Sequence, residues 1–381
     1  MNWSTMAEFL PYGRQSIVDS DIEAVRAVLE SDWLTTGPEV TGFEADLAEW
    51  TGGVPTVAVT SGTAALHVAY AAAGIGPGDE VITSPLTFVA TAATAVQRGA
   101  RVRFADVSAD TGNLDPEAVA AECVPSTAVI AAVDYAGHPA PMDELRSSAR
   151  KASALLLEDA AHSIGAALGG RPVGSLSDLT TFSFFPTKNL TTAEGGAVAA
   201  ADPELLDRAR RFRNHGLVRD PAQQRFPDEG PWHQEVHEFG LNYRLPDVLC
   251  ALGRAQLRRL AAFKTRRADI HARYTAAFAE VDGLRVPACR AGADPVWHLY
   301  PLRVPAERRR VIFEALRAQG IGVQVNYIPA YWHPVFADLG YRRGLCPNAE
   351  RYYAEEISLP LFPDLTDSQV DRVIEAVLAQ L

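Results

Sequence analysis

The chain has 381 residues, enough for two domains or for one large α/β domain with an appendage. Hydrophobic residues make up 48% and charged residues 22%, an ordinary balance for a soluble globular protein. The formal net charge of -12 argues against a nucleic-acid partner, whose grip depends on neutralising phosphates.

Cys123, Cys250, Cys289 and Cys346 lie far apart with no CxxC spacing, which fits reduced thiols better than a disulfide framework or a zinc site. No cationic residue precedes Arg14, and no uninterrupted apolar stretch reaches membrane-spanning length. The expectation is a cytoplasmic protein with no membrane partner.

Ser20-Asp21-Ile22-Glu23 has capping-box spacing, and Ile22, Val25, Val28 and Leu29 then recur on one face, so a helix begins there. Residues 56–59 read as a strand, and 64–73 as a helix closed by Gly74. Further strands are predicted at 80–83, 102–107, 129–133 and 155–157, with Ala-rich helices at 87–96 and 142–152 between them. Such alternation implies a mostly parallel sheet covered on both faces. Residues 217–238 carry several prolines and charges without periodicity and read as a long loop. One long helix is expected from 246 to about 278. Beyond it come extended segments at 296–304 and 323–327, a helix over 307–319, and a last helix from Asp367. The division expected is 1–245 as a large α/β domain and 246–381 as a connecting helix with a small α+β domain.

Three segments carry chemistry. Ser61-Gly62-Thr63-Ala64 follows a strand and opens a helix, where free N–H groups and the helix dipole favour an anion. Leu155-Leu156-Leu157-Glu158-Asp159 is an apolar strand ending in acids, with His162 just beyond. Ser183-Phe184-Phe185-Pro186-Thr187-Lys188 sets one lysine between an apolar strand-like run and the Gly195-Gly196 turn. A sheltered lysine amine that loses its proton attacks carbonyls. An acid and a lysine, each at a strand end, are what a pyridoxal phosphate site requires: the lysine takes the aldehyde and the acid faces the ring nitrogen. Taken singly, each residue has a plainer reading. Lys188 could be a surface charge, Asp159 a helix cap, His162 a satisfied core histidine, Phe88 core, and Asn242 a turn residue. The basic groups at 208–213 and 258–267 read as solvated helix faces, and the histidines lack metal-ligand spacing, so no metal is assigned.

Together, the segments 33–38, 61–66, 85–90, 158–162, 183–196, 213–216 and 240–244 resemble the DegT/DnrJ/EryC1/StrS family of sugar aminotransferases. The resemblance implies a fold-type-I α/β architecture and pyridoxal phosphate as cofactor, with its pyridoxamine form as intermediate. It implies that Lys188 joins the cofactor aldehyde and shuttles a proton, and that Asp159 faces the ring nitrogen. Phe88 would stack on the ring, and His162 would stand near its hydroxyl. Gly62, Thr63 and Ser183 would hold the phosphate with Ala64 beside them, and Asn242 would arrive from a neighbouring subunit of a homodimer. Lysine rather than histidine at 188 favours transamination over dehydration. Residues 85–92 and 191–196 look most like enzymes that aminate C4 of nucleotide-linked 4-keto-6-deoxy sugars, with L-glutamate as donor. A 3-keto sugar nucleotide, a keto-cyclitol, or an idle cofactor-binding sensor are the other readings. Many relatives carry histidine where Asn326 stands in Val325-Asn326-Tyr327-Ile328-Pro329.

Overall fold

The computed structural model describes residues 9–381. Helices α1 (Asp19–Leu29) and α2 (Pro38–Trp50) lead into an alternating series. This runs β1 (Thr56–Val59), α3 (Gly62–Ala72), β2 (Glu80–Thr83), α4 (Ala90–Gln97), β3 (Arg101–Phe104), α5 (Pro116–Glu122), β4 (Thr127–Val133), α6 (Met142–Ala152) and β5 (Leu155–Asp159). Two short strands, β6 (Ala167–Leu168) and β7 (Arg171–Pro172), precede β8 (Leu179–Ser183), β9 (Gly196–Ala199) and α7 (Pro203–Arg213).

Seven strands form one sheet in the order β1-β9-β8-β5-β4-β2-β3. All neighbours in it are parallel except those of β9, which runs antiparallel to both β1 and β8. The expected mostly parallel α/β sheet is therefore present. Its central strands are apolar on both faces; β4 reads Thr-Ala-Val-Ile-Ala-Ala-Val because helices cover it front and back. α6 follows its prediction residue for residue. Asp143 and Glu144 lie in its first turn and Arg150 and Lys151 in its last, matching the helix dipole, and Ser153 closes it in the left-handed region.

The second part of the chain begins with β10 (Leu217–Val218) and β11 (Glu235–Val236), which pair as a small hairpin. The segment read as a loop is thus partly ordered. Glu235 is its knot: the carboxylate accepts the N–H groups of Arg225 and Phe226 at 2.8 and 2.7 Å, together with the His233 and His237 rings. These bonds hold its carboxyl down near about 2 against the upward push of burial.

Helices α8 (Asp247–Leu257) and α9 (Leu260–Phe278) replace the single long helix expected from 246 to 278. The turn between them lets Gln256 reach Ser16 and Asp21, and Arg259 reach Asp21, across to α1. Asp21 also caps α1 by accepting the Val18 N–H at 3.0 Å, so the cap is Val18, two residues before the expected Ser20. Of the apolar stripe predicted on α1, only Val28 is buried; Ile22 is 58% and Leu29 59% exposed.

Then come β12 (Ala293–Asp294), β13 (Tyr300–Arg303), α10 (Ala306–Ala318), α11 (Pro334–Asp338), α12 (Pro347–Glu355), β14 (Glu356–Leu359) and α13 (Asp367–Leu378). β13 and β14 pair antiparallel over a second core that includes Ile270, Tyr274, Leu302, Ile312, Leu316, Ile357 and Val373. The expected extended segment at 323–327 forms only a bridge, Gln324 to Ser358. Leu10 joins this core by bonding Gly320 and Gly322, which ties the start of the described chain to its far end.

One reading of the basic groups is corrected. Arg267 is only 1% exposed, and its guanidinium donates to the carbonyls of Trp297, His298 and Leu361. All three carbonyls accept from Nη1, while the buried Nε has no partner; a helix-face pattern cannot reveal such a buried cation.

Candidate active site

The carboxyl ends of the parallel strands open into a cavity of about 460 Å³. This is where open α/β sheets place ligands. Gly62, Thr63, Phe88, Asp159, His162, Ser183 and Lys188 all line it, so residues spread over 126 positions of sequence converge.

Ser61 caps α3 by accepting the Ala64 N–H at 3.0 Å. The remaining first-turn N–H groups, those of Gly62 and Thr63, have no intrahelical acceptor, and both residues line the cavity. Ala64 does not line it: its N–H belongs to the cap and its side chain is buried in the core. Gly62 is required by close approach. A Cβ there would stand 2.7 Å from the Ser183 Cβ and 2.8 Å from its Oγ. Gly62→Ala is expected to push Ser183 aside, cost about 1–3 kcal/mol of stability, and weaken phosphate binding at this turn. Thermal unfolding and phosphate titration of the variant check this.

Asp159 ends β5 as a buried acid. Burial pushes its carboxyl up, while the Thr91 hydroxyl at 2.6 Å, the Ala161 N–H at 3.2 Å and the Lys188 charge pull it down. Thr91 lies on α4 one turn beyond Phe88, whose ring is 61% exposed and meets Tyr327 edge-on at 6.4 Å. The residue at the ring face and the residue that orients the acid are therefore carried by one turn of chain.

Lys188 follows β8, and its backbone N–H bonds Phe185. Among the described residues, no hydrogen bond or ion pair holds its amine. Burial lowers its pKa to about 8, partly opposed by Asp159. That sets a substantial share of the amine free of its proton near neutrality.

His162 is buried, with Nε2 3.1 Å from the Tyr327 hydroxyl and Nδ1 without a protein partner. Burial and the Lys188 charge hold it well below the usual imidazole range. Its ring packs on His298 with centroids 4.3 Å apart, and His298 is lowered likewise.

Asn242 does not line this cavity; it is exposed and bridges to Asn214. Tyr12, Thr91, His298, Asn326 and Tyr327 line it without having been singled out as site residues. Thr91 carried a weak signal, standing four residues after Thr87 on a helix start. Tyr12 and His298 have no local pattern, and Asn326 and Tyr327 lie in the 325–329 segment that carried only a comparison with relatives.

This donor set fits pyridoxal phosphate. It has a helix start with two free N–H groups, a buried carboxylate fixed by two hydrogen bonds, an unpartnered buried imidazole nitrogen and a lysine amine poised near neutrality. Fold and site together define an aminotransferase.

The chain belongs to the DegT/DnrJ/EryC1/StrS aminotransferase family, whose description it matches over residues 15–378. That family depends on pyridoxal phosphate. The chain is 41% identical over 375 residues to the spore coat polysaccharide biosynthesis protein SpsC of Bacillus subtilis, covering 97% of this chain and 96% of that one. Its fold matches the aminotransferase TlmJ from Streptoalloteichus hindustanus with a TM-score of 0.91 and 33% identity, covering 98% of this chain and 99% of that one. Spr1654 from Streptococcus pneumoniae, in its pyridoxal phosphate form, matches with a TM-score of 0.91 and 30% identity over 98% of this chain and all of that one.

Proposed function

We propose that the protein transfers an amino group from L-glutamate to the ketone of a nucleotide-linked 4-keto-6-deoxy sugar, using pyridoxal phosphate. The observation that carries the reading is the convergence of Lys188, Asp159 and the α3 start on one cavity. The likeness to a polysaccharide biosynthesis protein supports a sugar product.

When bound, pyridoxal phosphate supplies an aldehyde and an electron-withdrawing ring, and it carries the amino group from donor to acceptor. Around it, the Gly62 and Thr63 N–H groups and the Ser183 hydroxyl would hold phosphate. Asp159, fixed by Thr91, would keep a proton on the ring nitrogen. Phe88 would stack on the ring. His162, kept neutral by burial and oriented by Tyr327, would offer Nδ1 to the ring hydroxyl. Lys188 Nζ would take a proton from one carbon and return it to another, its pKa of about 8 suiting transfer near neutrality. The exposed apolar residues Phe226, Trp232 and Phe239 suit burial against a second copy, which would bring Asn242 to a neighbouring site.

The sign of the pH effect follows from Lys188. Only the neutral amine is nucleophilic, and its share rises with pH until about 8. Uptake of pyridoxal phosphate by cofactor-free protein is expected to quicken by about tenfold per unit below that pH and to level off above it. Stopped-flow absorbance reads the rate.

The reading is tested by offering L-glutamate with a panel of keto sugars and keto-cyclitols to the loaded protein. Amination of a nucleotide-linked sugar at C4 is expected. Turnover confined to a keto-cyclitol, or to a 3-keto sugar, overturns it.

A further inference from the structure

Asn326 belongs to no helix or strand, yet all but one of its polar atoms is engaged. Its N–H donates to Glu356 Oε2 at 2.7 Å, and its carbonyl accepts the Tyr135 hydroxyl. Its side-chain Nδ2 donates to the Tyr12 hydroxyl oxygen at 2.8 Å and to Ser358 Oγ at 3.0 Å. Oδ1 alone has no protein partner among the described residues, and it is not one of the sealed, unpartnered atoms. Asn326 and Tyr12 both line the cavity, so this is where Oδ1 is left to act.

An amide can turn over and exchange its oxygen and nitrogen, so its orientation has to follow from the hydrogen bonds around it. The Ser358 hydroxyl donates to Glu356 Oε1. With its proton committed there, Ser358 can only accept from Asn326, and only the NH₂ end can give. A flipped amide would set oxygen against oxygen. Burial pushes the Glu356 carboxyl up to about 8; above that pH it is ionised and has no proton to return, so the chain of bonds runs one way. Tyr12 accepts from Nδ2 and keeps its own proton. Burial, with Tyr327 and Glu356 nearby, holds that phenol well above its usual range, so it remains a donor.

We propose that Asn326 Oδ1 and the Tyr12 hydroxyl form a fixed acceptor–donor pair that reads one hydroxyl group of the sugar. This rests on the proposed sugar-nucleotide substrate. A hydroxyl satisfies both members, giving its proton to Oδ1 and taking one from Tyr12. A ketone or ether oxygen has nothing to give Oδ1. A carboxylate of the amino donor meets the same mismatch, and an ammonium cannot accept from Tyr12. The pair therefore turns a hydroxyl-bearing edge of the sugar to this wall and keeps the ketone away from it.

The test is calorimetric binding to the loaded full-length chain. The probes are hexoses linked to uridine, thymidine or guanosine diphosphate, and analogues each lacking one ring hydroxyl. It is run at pH 9, above the value of about 8 to which burial pushes Glu356. One deoxy analogue is expected to bind the native chain about tenfold to a hundredfold more weakly than its parent. That penalty should vanish in Asn326→Ala and in Tyr12→Phe, the second of which keeps the packing of the ring. Equal binding of all analogues to the native chain, or a penalty unchanged in both variants, overturns the pair while leaving the sugar reading intact. Failure of every nucleotide-linked hexose to bind overturns both.

Discussion

Lys188→Ala is expected to lower transamination by about 10⁴-fold, the upper end of what a positioned base contributes. The loss should be this large because one amine serves two purposes, as the nucleophile toward the cofactor aldehyde and as the proton carrier between carbons. The neighbouring groups are poor substitutes: His162 and His298 are buried and held low, and Asp159 is tied to Thr91 and Ala161. A readout independent of turnover separates this from a folding defect. After borohydride reduction, pyridoxal phosphate should stay attached to the native chain through denaturation and wash away from the variant. Circular dichroism should not change, since the amine makes no hydrogen bond that supports the fold. A reduced covalent adduct in the variant overturns the assignment.

Asp159→Asn should be the next most costly change. The substitution keeps shape and can keep the Thr91 hydrogen bond, but it removes the charge that holds a proton on the ring nitrogen. Loss of a charge-assisted hydrogen bond alone is about 1.5–3 kcal/mol, or roughly tenfold to a hundredfold in rate. The weaker electron sink adds to that, so kcat should fall by about a hundredfold or more while cofactor still binds. A variant within twofold of the native rate, with cofactor bound, removes Asp159 from this role. Thr91→Val tests the support behind it: the carboxylate keeps its place at the strand end but loses the hydroxyl that aims it.

Much of the large sheet was legible because its strands are short apolar runs set off by turns, and helix 142–152 because its charges are sorted by end. The cofactor side of the cavity was legible for a related reason. Gly62, Asp159, Ser183 and Lys188 each sit where a strand gives way to a turn, so local pattern marks them. The substrate side was not. Tyr12, His298, Asn326 and Tyr327 meet there through pairings more than a hundred residues apart, and only Asn326 and Tyr327 stand in a segment that resembles the family. The break at Arg258 was hidden as well, because no glycine or proline marks it. Its cause is the reach of Gln256 and Arg259 to Asp21, a contact that exists only once α1 is in place. Arg267 was misread since a buried guanidinium and a solvated one look alike in sequence, and only three distant carbonyls tell them apart.

Leu10 bonds to Gly320 and Gly322, and Tyr12 bonds to Asn326. On the ribosome, the first of these partners is made early and the second very late. At roughly 5–20 residues per second, the leading segment waits about 15–60 seconds for its anchor. Until then the cavity lacks the wall that Tyr12 and Asn326 form. A growing chain can therefore form most of its sheet before it can form its site, and holding the cofactor becomes an event that follows synthesis. Messages truncated after codon 300 should yield chains with ordered strands that do not retain pyridoxal phosphate.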